Sequence, residues 1–216
     1  MPRSPSSLQA PRVSAPDLPD HLDAARPQRS AELLSARIEL SGDVDLAHST
    51  LEQCVLAGSA ESLELTGATL MDIDMSGLRI VELRARDATL RRVRLCGGRI
   101  GTLDLSDTRI HELELSGVRI DYLTLGGTKA VDVRIDDCQI TALDLPAATL
   151  TRVAFSETRA DEVDPRELRA EHVDLRGLDA LSFLDVTSLR GTTLSVLQVQ
   201  QLSPVLAASA GIFVRD

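Results

Sequence analysis

The 216-residue chain has no tryptophan, one tyrosine and three phenylalanines, yet 43% of its residues are apolar. A core made from it must be filled by Leu, Ile, Val and Ala, which suits a narrow, repetitive interior better than an irregular one. Cysteine is scarce too. Cys54, Cys96 and Cys138 form an odd count with no C-x-x-C spacing, so a disulfide framework is not indicated. Free thiols and a reducing, cytoplasmic location are the expectation. No apolar run reaches the roughly 18 residues of a membrane span, and the opening "MPRSPSSLQAPRVSAP" lacks the apolar segment of a signal peptide. Positive charge is outweighed by negative. At a net charge of -10 the chain as a whole is not built to bind nucleic acid through phosphates, and it would attract a basic partner. The four histidines, His21, His48, His111 and His172, stand in no metal-ligand spacing, and no G-x-S-x-G, P-loop or dinucleotide fingerprint occurs. No enzyme activity, cofactor or metal is expected.

What the chain does have is a beat of five. Residues 1–30 are rich in Pro, Ser, Arg and Ala and read as a disordered tail. "SAELLSARIEL", from Ser30 to Leu40, begins with a Ser N-cap and reads as a short helix. From Leu63 the chain divides into five-letter words, LELTG ATLMD IDMSG LRIVE LRARD, and it keeps this beat to about Ser182. The middle residues of the words, the centres, run from Leu65 to Ala180. Of these 24, only Pro165 lies outside the apolar set. The residue two before each centre is mostly apolar or small. Irregular words fill 38–62: Ile38 and Leu40 fit the main register, Val44/Leu46 and Cys54/Leu56 sit one residue later, and a one-residue loss near Ser59 to Ser62 restores the beat.

Five residues turn a helix by about 500°, so an apolar pair repeated every five would smear around all sides of it. In a strand, positions two apart share a face. Each word then reads as in, out, in, followed by two residues that turn. The last position of the word holds Gly67, Gly77, Gly97, Gly117 and Gly127, or Asp72, Asp87, Asp107, Asp132 and Asp137, residues that tolerate positive φ. Four such words close a coil of twenty residues, and coils stack about 4.8 Å apart. The expected core comprises Leu65, Leu70, Met75, Ile80, Leu90, Leu95, Ile100, Leu105, Ile110, Leu115, Ile120, Leu125, Ile135, Ile140, Leu145, Leu150, Phe155 and Leu175.

Words such as "ATLMD" and "ATLRR", over roughly residues 38 to 183, resemble the A(D/N)LXX motif of the pentapeptide-repeat family. The C-terminal segment resembles the tail of actinobacterial members. The resemblance implies an all-β solenoid, a right-handed quadrilateral β-helix. It departs from the motif at the first position of the word, which is often large here. Large residues (Leu63, Ile73, Leu83, Val93, Leu103) alternate with lean ones (Ala68, Ala88, Gly98, Thr108), so two facing sides are expected to be bulky. The resulting domain organisation is a tail over 1–30, a β-helix over 31–187, and a helical cap over 188–216. Within the cap, Ser203 as N-cap, Pro204 at the first helical position and Gly211 past the end mark the second of two short helices, and Ile212 to Val214 read as a last strand.

Outside, residues twenty apart form ladders of alternating charge: Asp74, Arg94, Glu114, Arg134, and Asp72, Arg92, Glu112, Asp132, Arg152. A third ladder, Arg79, Arg99, Arg119, Gln139, Arg159, reads either as a basic stripe for an anion or as one that nearby Glu82, Asp121, Asp161 and Glu162 neutralise. Glu157, Asp161, Glu162, Asp164, Glu167 and Glu171 make the last coils acidic, either a solvated face or a candidate docking face for a basic partner. The resulting reading is a rigid, non-enzymatic rod that binds an unnamed protein, with no direct nucleic acid or membrane contact. Apolar residues left over on the C-terminal helices would permit a homodimer. The family resemblance also implies an alternative: some members mimic duplex DNA and occupy the DNA site of gyrase, protecting it from quinolones.

Overall fold

Each five-residue word forms one side of a coil and one corner. The computed structural model describes residues 7–214. In it, the strand Arg109–Ser116 pairs in parallel with Thr89–Cys96 on one edge and Lys129–Asp136 on the other, each twenty residues away. The offset of twenty holds from the Ser59–Arg79 pair to the Val163–Phe183 pair. The result is a parallel β-solenoid of about eight turns. Two stacks of parallel strands, one through Arg109–Ser116 and one through Arg119–Thr124, are joined by the long strand Thr50–Glu64.

We number the sides by their centres: side one carries Leu70, Leu90 and Ile110; side two Met75, Leu95 and Leu115; side three Ile80, Ile100 and Ile120; side four Leu65, Leu105 and Leu125. Every large centre named above, from Leu65 to Leu175, is at most 4% exposed. The bulky first positions, such as Leu83 and Val93, are equally buried and lie on opposite sides two and four. The lean first positions on sides one and three carry buried threonines. Their hydroxyls donate to corner carbonyls, Thr108 Oγ1 to Leu105 O at 2.7 Å and Thr158 Oγ1 to Ser156 O at 2.8 Å. A hydroxyl is tolerated on the axis because the backbone satisfies it.

Three of the four corners in each turn hold a residue with positive φ. After side one these are non-glycine: Asp72, Arg92, Glu112, Asp132 and Arg152, with φ between 50° and 67°. The corner after side three has none, and the chain passes it in strands such as Arg79–Arg84.

The first turns are shorter than sequence spacing suggests. Arg37 pairs with Val55, eighteen residues on, and Thr50 with Thr69, nineteen on. Ile38 therefore lies over Leu56, Ala36 takes the inward position before it, and Leu40 pairs with Gly58. The assignment of Ile38 and Leu40 to the main register is corrected accordingly. The lost residue falls between Val55 and Ser59, because Val55 pairs with Asp74 and Ser59 with Arg79. Four residues there oppose five. The segment read as a helix from Ser30 forms strands Glu32–Leu34 and Ala36–Leu40 instead, because both pair with Thr50–Glu64 and offer it alternating inward residues.

Residues 7–30 depart from the expected free tail; residues 1–6 lie outside the described chain. Asp23–Ala25 pairs with Ala36–Leu40. Upstream of it the chain climbs the outside of the rod as an extended strap. The Asp17, Ser14 and Arg12 N–H groups donate to Asp72 Oδ1, Glu112 Oε2 and Asp132 Oδ1, each at 2.9 Å. Five residues thus cover three coils, about 14 Å, the rise of an extended chain. Leu8, Pro11, Val13, Pro16 and Leu18 are half-buried against the rod. Proline-rich composition is compatible with this order, since prolines fix φ and lower the entropy lost on docking.

At the other end one α-helix, α1 (Val196–Ser209), replaces the two expected, and a 3-10 turn covers Thr187–Leu189. Ser195 caps α1, accepting from the Gln198 N–H, while Gln198 accepts from the Ser195 N–H. The helix runs through Pro204 because the Ser203 hydroxyl donates to the Gln200 carbonyl at 2.7 Å, the group that Pro204 leaves without its usual N–H. Ile212 to Val214 form no strand and are exposed. The Ile212 N–H instead donates to the Ala207 carbonyl at 2.8 Å, closing the end of α1. Gln198 Nε2 fastens α1 to the last coil, donating to the Leu175 and Leu178 carbonyls at 2.7 and 2.8 Å.

Candidate functional site

The axis is filled by aliphatic side chains, so any function must be carried by the outer surface. Many of its acids hold corners. Asp45, Asp74, Asp104, Asp164 and Asp174 each accept the N–H of the residue two ahead, at 2.9 to 3.1 Å. This bond pre-forms the turn, which explains the acidic second position of those words. These carboxylates are structural first and surface charge second.

The alternating ladders are partly paired. Arg92 bonds Asp72 through two nitrogens at 2.6 Å, and Arg152 bonds Asp132 through two at 2.7 Å. Arg94 reaches Asp74 at 2.5 Å and Arg134 reaches Glu114 at 3.6 Å. The Arg92 and Arg152 forks hold the Asp72 and Asp132 carboxyls below the usual carboxylate range, and the strap N–H groups add to this. At Asp104 burial opposes ionisation, but the Ser106 and Arg86 bonds win and its pKa also falls. Tyr122 donates to Asp144 at 2.5 Å, which pushes the phenol up to about 12.

The six acidic residues of the last coils do not form one face. Glu157 stands at the corner after side two, Asp161 and Glu162 at the corner after side three, Glu167 at the corner after side four, and Glu171 at the corner after side one. Asp164 is buried on side four beneath Arg166. The candidate docking face is corrected to a ring: residues five apart in a square coil are turned by one side. Acid gathers on side four instead, lengthwise. Its register stacks Asp45, Glu64, Arg84, Asp104, Thr124, Asp144 and Asp164. Asp87, Asp107 and Glu167 edge it. Arg86 and Arg166 lie over the buried Asp104 and Asp164, and Arg84 comes within 3.8 Å of Glu64, so the ladder is neutralised at three rungs.

Side three carries the arginine stripe, and its neutralisation is incomplete. Arg99 reaches Asp121 at 3.0 Å and Arg159 comes within 3.9 Å of Asp161. Neither Glu82 nor Glu162 pairs with the stripe; Glu82 bonds Arg84.

Cys54 and Cys138 are buried, and burial pushes both thiols up, as it does the half-buried Cys96. None of them is set up as a nucleophile. His111 and Glu112 are 3.6 Å apart on the outside. Among the described residues no three His, Cys, Asp or Glu side chains group as metal ligands, and no helix is long and apolar enough to cross a membrane.

A scan of protein-family models finds no match to this chain, and a search of curated proteins finds none either. Among solved structures, the chain is similar to two trypsin-treated variants of QnrB1, described as a plasmid-mediated fluoroquinolone resistance protein. One is 14% identical over 88% of this chain and 97% of that one, with a TM-score of 0.33. The other is 13% identical over 87% of this chain and 100% of that one, with a TM-score of 0.30.

Proposed function

We propose that the protein is a rigid, non-enzymatic rod that binds another protein through its outer sides. One observation carries this: the axis is packed throughout, while the outward charges are sorted by side, acid along side four and arginine along side three. A surface sorted lengthwise presents a partner with a distinct strip on each side. The test is capture with the full-length rod and with variants that neutralise one side. A partner retained by the wild type and lost from one variant supports the reading. Identical capture by all forms overturns it.

DNA mimicry is the second reading, and the side-four ladder favours it. Five of its seven rungs carry a carboxylate, and adjacent rungs stand about 4.8 Å apart, against about 3.4 Å per phosphate along one DNA strand. The gaps at Arg84 and Thr124 and the arginines over Asp104 and Asp164 weaken the match, which ranks it second. A supercoiling assay with purified gyrase decides it: no inhibition at micromolar protein ends this reading.

The homodimer belongs here as well. From Gly191 to Val214 there is no charged residue, and Val196, Leu197, Val199 and Val205 on α1 are exposed. A helix that is both uncharged and apolar on its outer face favours burial against a second copy. Analytical ultracentrifugation tests it, with Leu197→Glu expected to shift a dimer to monomer.

A further inference from the structure

Along side three, register stacks Arg79 on Arg99, Arg99 on Arg119, Arg119 on Gln139, and Gln139 on Arg159. Adjacent rungs are about 4.8 Å apart, and like charges directly opposite destabilise a sheet. At the corner after side one the rod sets arginine over aspartate instead, as Arg92 over Asp72 and Arg152 over Asp132. Among the described residues, no carboxylate lies within ion-pair distance of Arg79 or Arg119. Guanidinium groups left without counter-charge, as Arg79 and Arg119 are, offer a site for an anion from outside.

The stripe borders two adjoining open recesses. One, of about 640 Å³, is lined by Arg79, Val81, Arg99, Gly101, Arg119 and Asp121. The other, of about 300 Å³, is lined by Arg119, Gln139, Thr141, Arg159 and Asp161. Arg119 belongs to both, so they form one groove along the rod. Its floor is partly apolar: Val81 is 66% exposed.

The N-terminal strap shows how an extended chain lies along this rod. Ser14 and Asp17, three residues apart, donate their N–H groups to Glu112 and Asp72, two coils apart, and Arg92 sits between those coils. Side three repeats this spacing. Asp121 and Asp161 are likewise two coils apart, with arginines at the neighbouring outward positions. Three extended residues rise about 10 Å, the height of two coils.

We propose that side three is a docking groove for an extended acidic segment of a partner protein. The segment lies along the rod, with its backbone N–H groups on Asp121 and Asp161 and its acidic side chains on Arg79, Arg119 and Arg159. An apolar residue of the segment covers Val81. A single-stranded nucleic acid would match the arginines alone, but its phosphates offer no N–H donor to Asp121 or Asp161. The inference rests on the reading of the protein as a protein-binding rod and names the side and the partner chemistry.

The test is fluorescence anisotropy with full-length protein and a labelled peptide alternating glutamate with valine, at low salt. Saturable binding is expected, weakened about tenfold by each of Arg79→Gln and Arg119→Gln. Neither arginine is paired, so both variants should unfold at no lower temperature than the wild type. That separates lost binding from lost folding. Absence of binding, equal affinity in the double variant, or tighter binding of an oligothymidylate than of the peptide would each overturn the proposal. The peptide experiment reads the groove and the capture experiment reads the rod, so the two readings fail separately.

Discussion

Replacing Leu115 by Ala removes one filling residue from the middle of the axis. Leu115 is 1% exposed and is paired in register with Leu95 on one side and Ile135 on the other. Loss of the buried methyl and methylene groups costs about 2 kcal/mol in transfer free energy at roughly 0.8 kcal/mol per group. The cavity adds to this. The strands above and below are fixed by backbone ladders and close in little, so the total should fall in the middle of the range for buried leucines, about 3–4 kcal/mol. For a chain of this length each kcal/mol moves the thermal midpoint by about 2–4 °C, giving a loss of about 6–16 °C. Circular dichroism at a single wavelength measures it, with Leu181→Ala as the control, since Leu181 is 63% exposed. The control should shift by less than about 2 °C. A Leu115→Ala midpoint indistinguishable from that control would refute the packed axis.

Acid should loosen the strap. The carboxyls of Asp72 and Asp132 titrate below their ordinary value in the folded state, so the stability they contribute is present above about pH 4 and is lost as pH falls through their folded values. Hydrogen exchange at the Arg12 and Asp17 amides should therefore quicken below about pH 4 relative to core amides, and Asp132→Asn should quicken Arg12 at neutral pH. Gly98→Ala should cost about 2 kcal/mol or more, because φ is +88° and the new Cβ would collide with the Leu78 backbone; Gly77→Ala, with φ +74° and open space, should cost only about 1 kcal/mol in chemical denaturation. Gln198→Ala removes the side-chain acceptor of the Ser195 N–H, half of the capping box, together with the two bonds to the last coil, and limited proteolysis should then cut within α1 while the coils stay intact.

The sides of the coil were legible in the sequence because inward residues must be apolar, and a period of five survives every substitution that respects this. Three features were not legible. The short first turns depend on Gly58 and a four-residue word, where Leu40 fits the main register by sequence but lies over Gly58 in space. The strap makes its bonds through backbone N–H groups, which leave no mark on side-chain pattern. The continuous α1 depends on Ser203 serving the Gln200 carbonyl, so a Ser-Pro pair that usually opens a helix sits inside one. For the candidate surfaces, the ladders were legible from residues twenty apart, but the pairing within them was not. Asp164 reads as part of an acidic face and is buried under Arg166, whereas Arg79 and Arg119 read as neutralised and stand unpaired. The acidic ring was mistaken for a face because neighbours in sequence occupy successive corners.

Register is what the account stands on, and a thiol ruler measures it directly. Cys96 is half-buried and pairs in register with Ser116, while Cys54 and Cys138 are buried. A short bifunctional thiol reagent should join Cys96 to a cysteine introduced by Ser116→Cys, one coil away at about 4.8 Å, as seen by mass spectrometry of the native protein. Ser106→Cys, ten residues from Cys96 and on the opposite side of the coil, should give only singly modified protein. Efficient joining in Ser106→Cys, or none in Ser116→Cys, would contradict a coil of twenty residues.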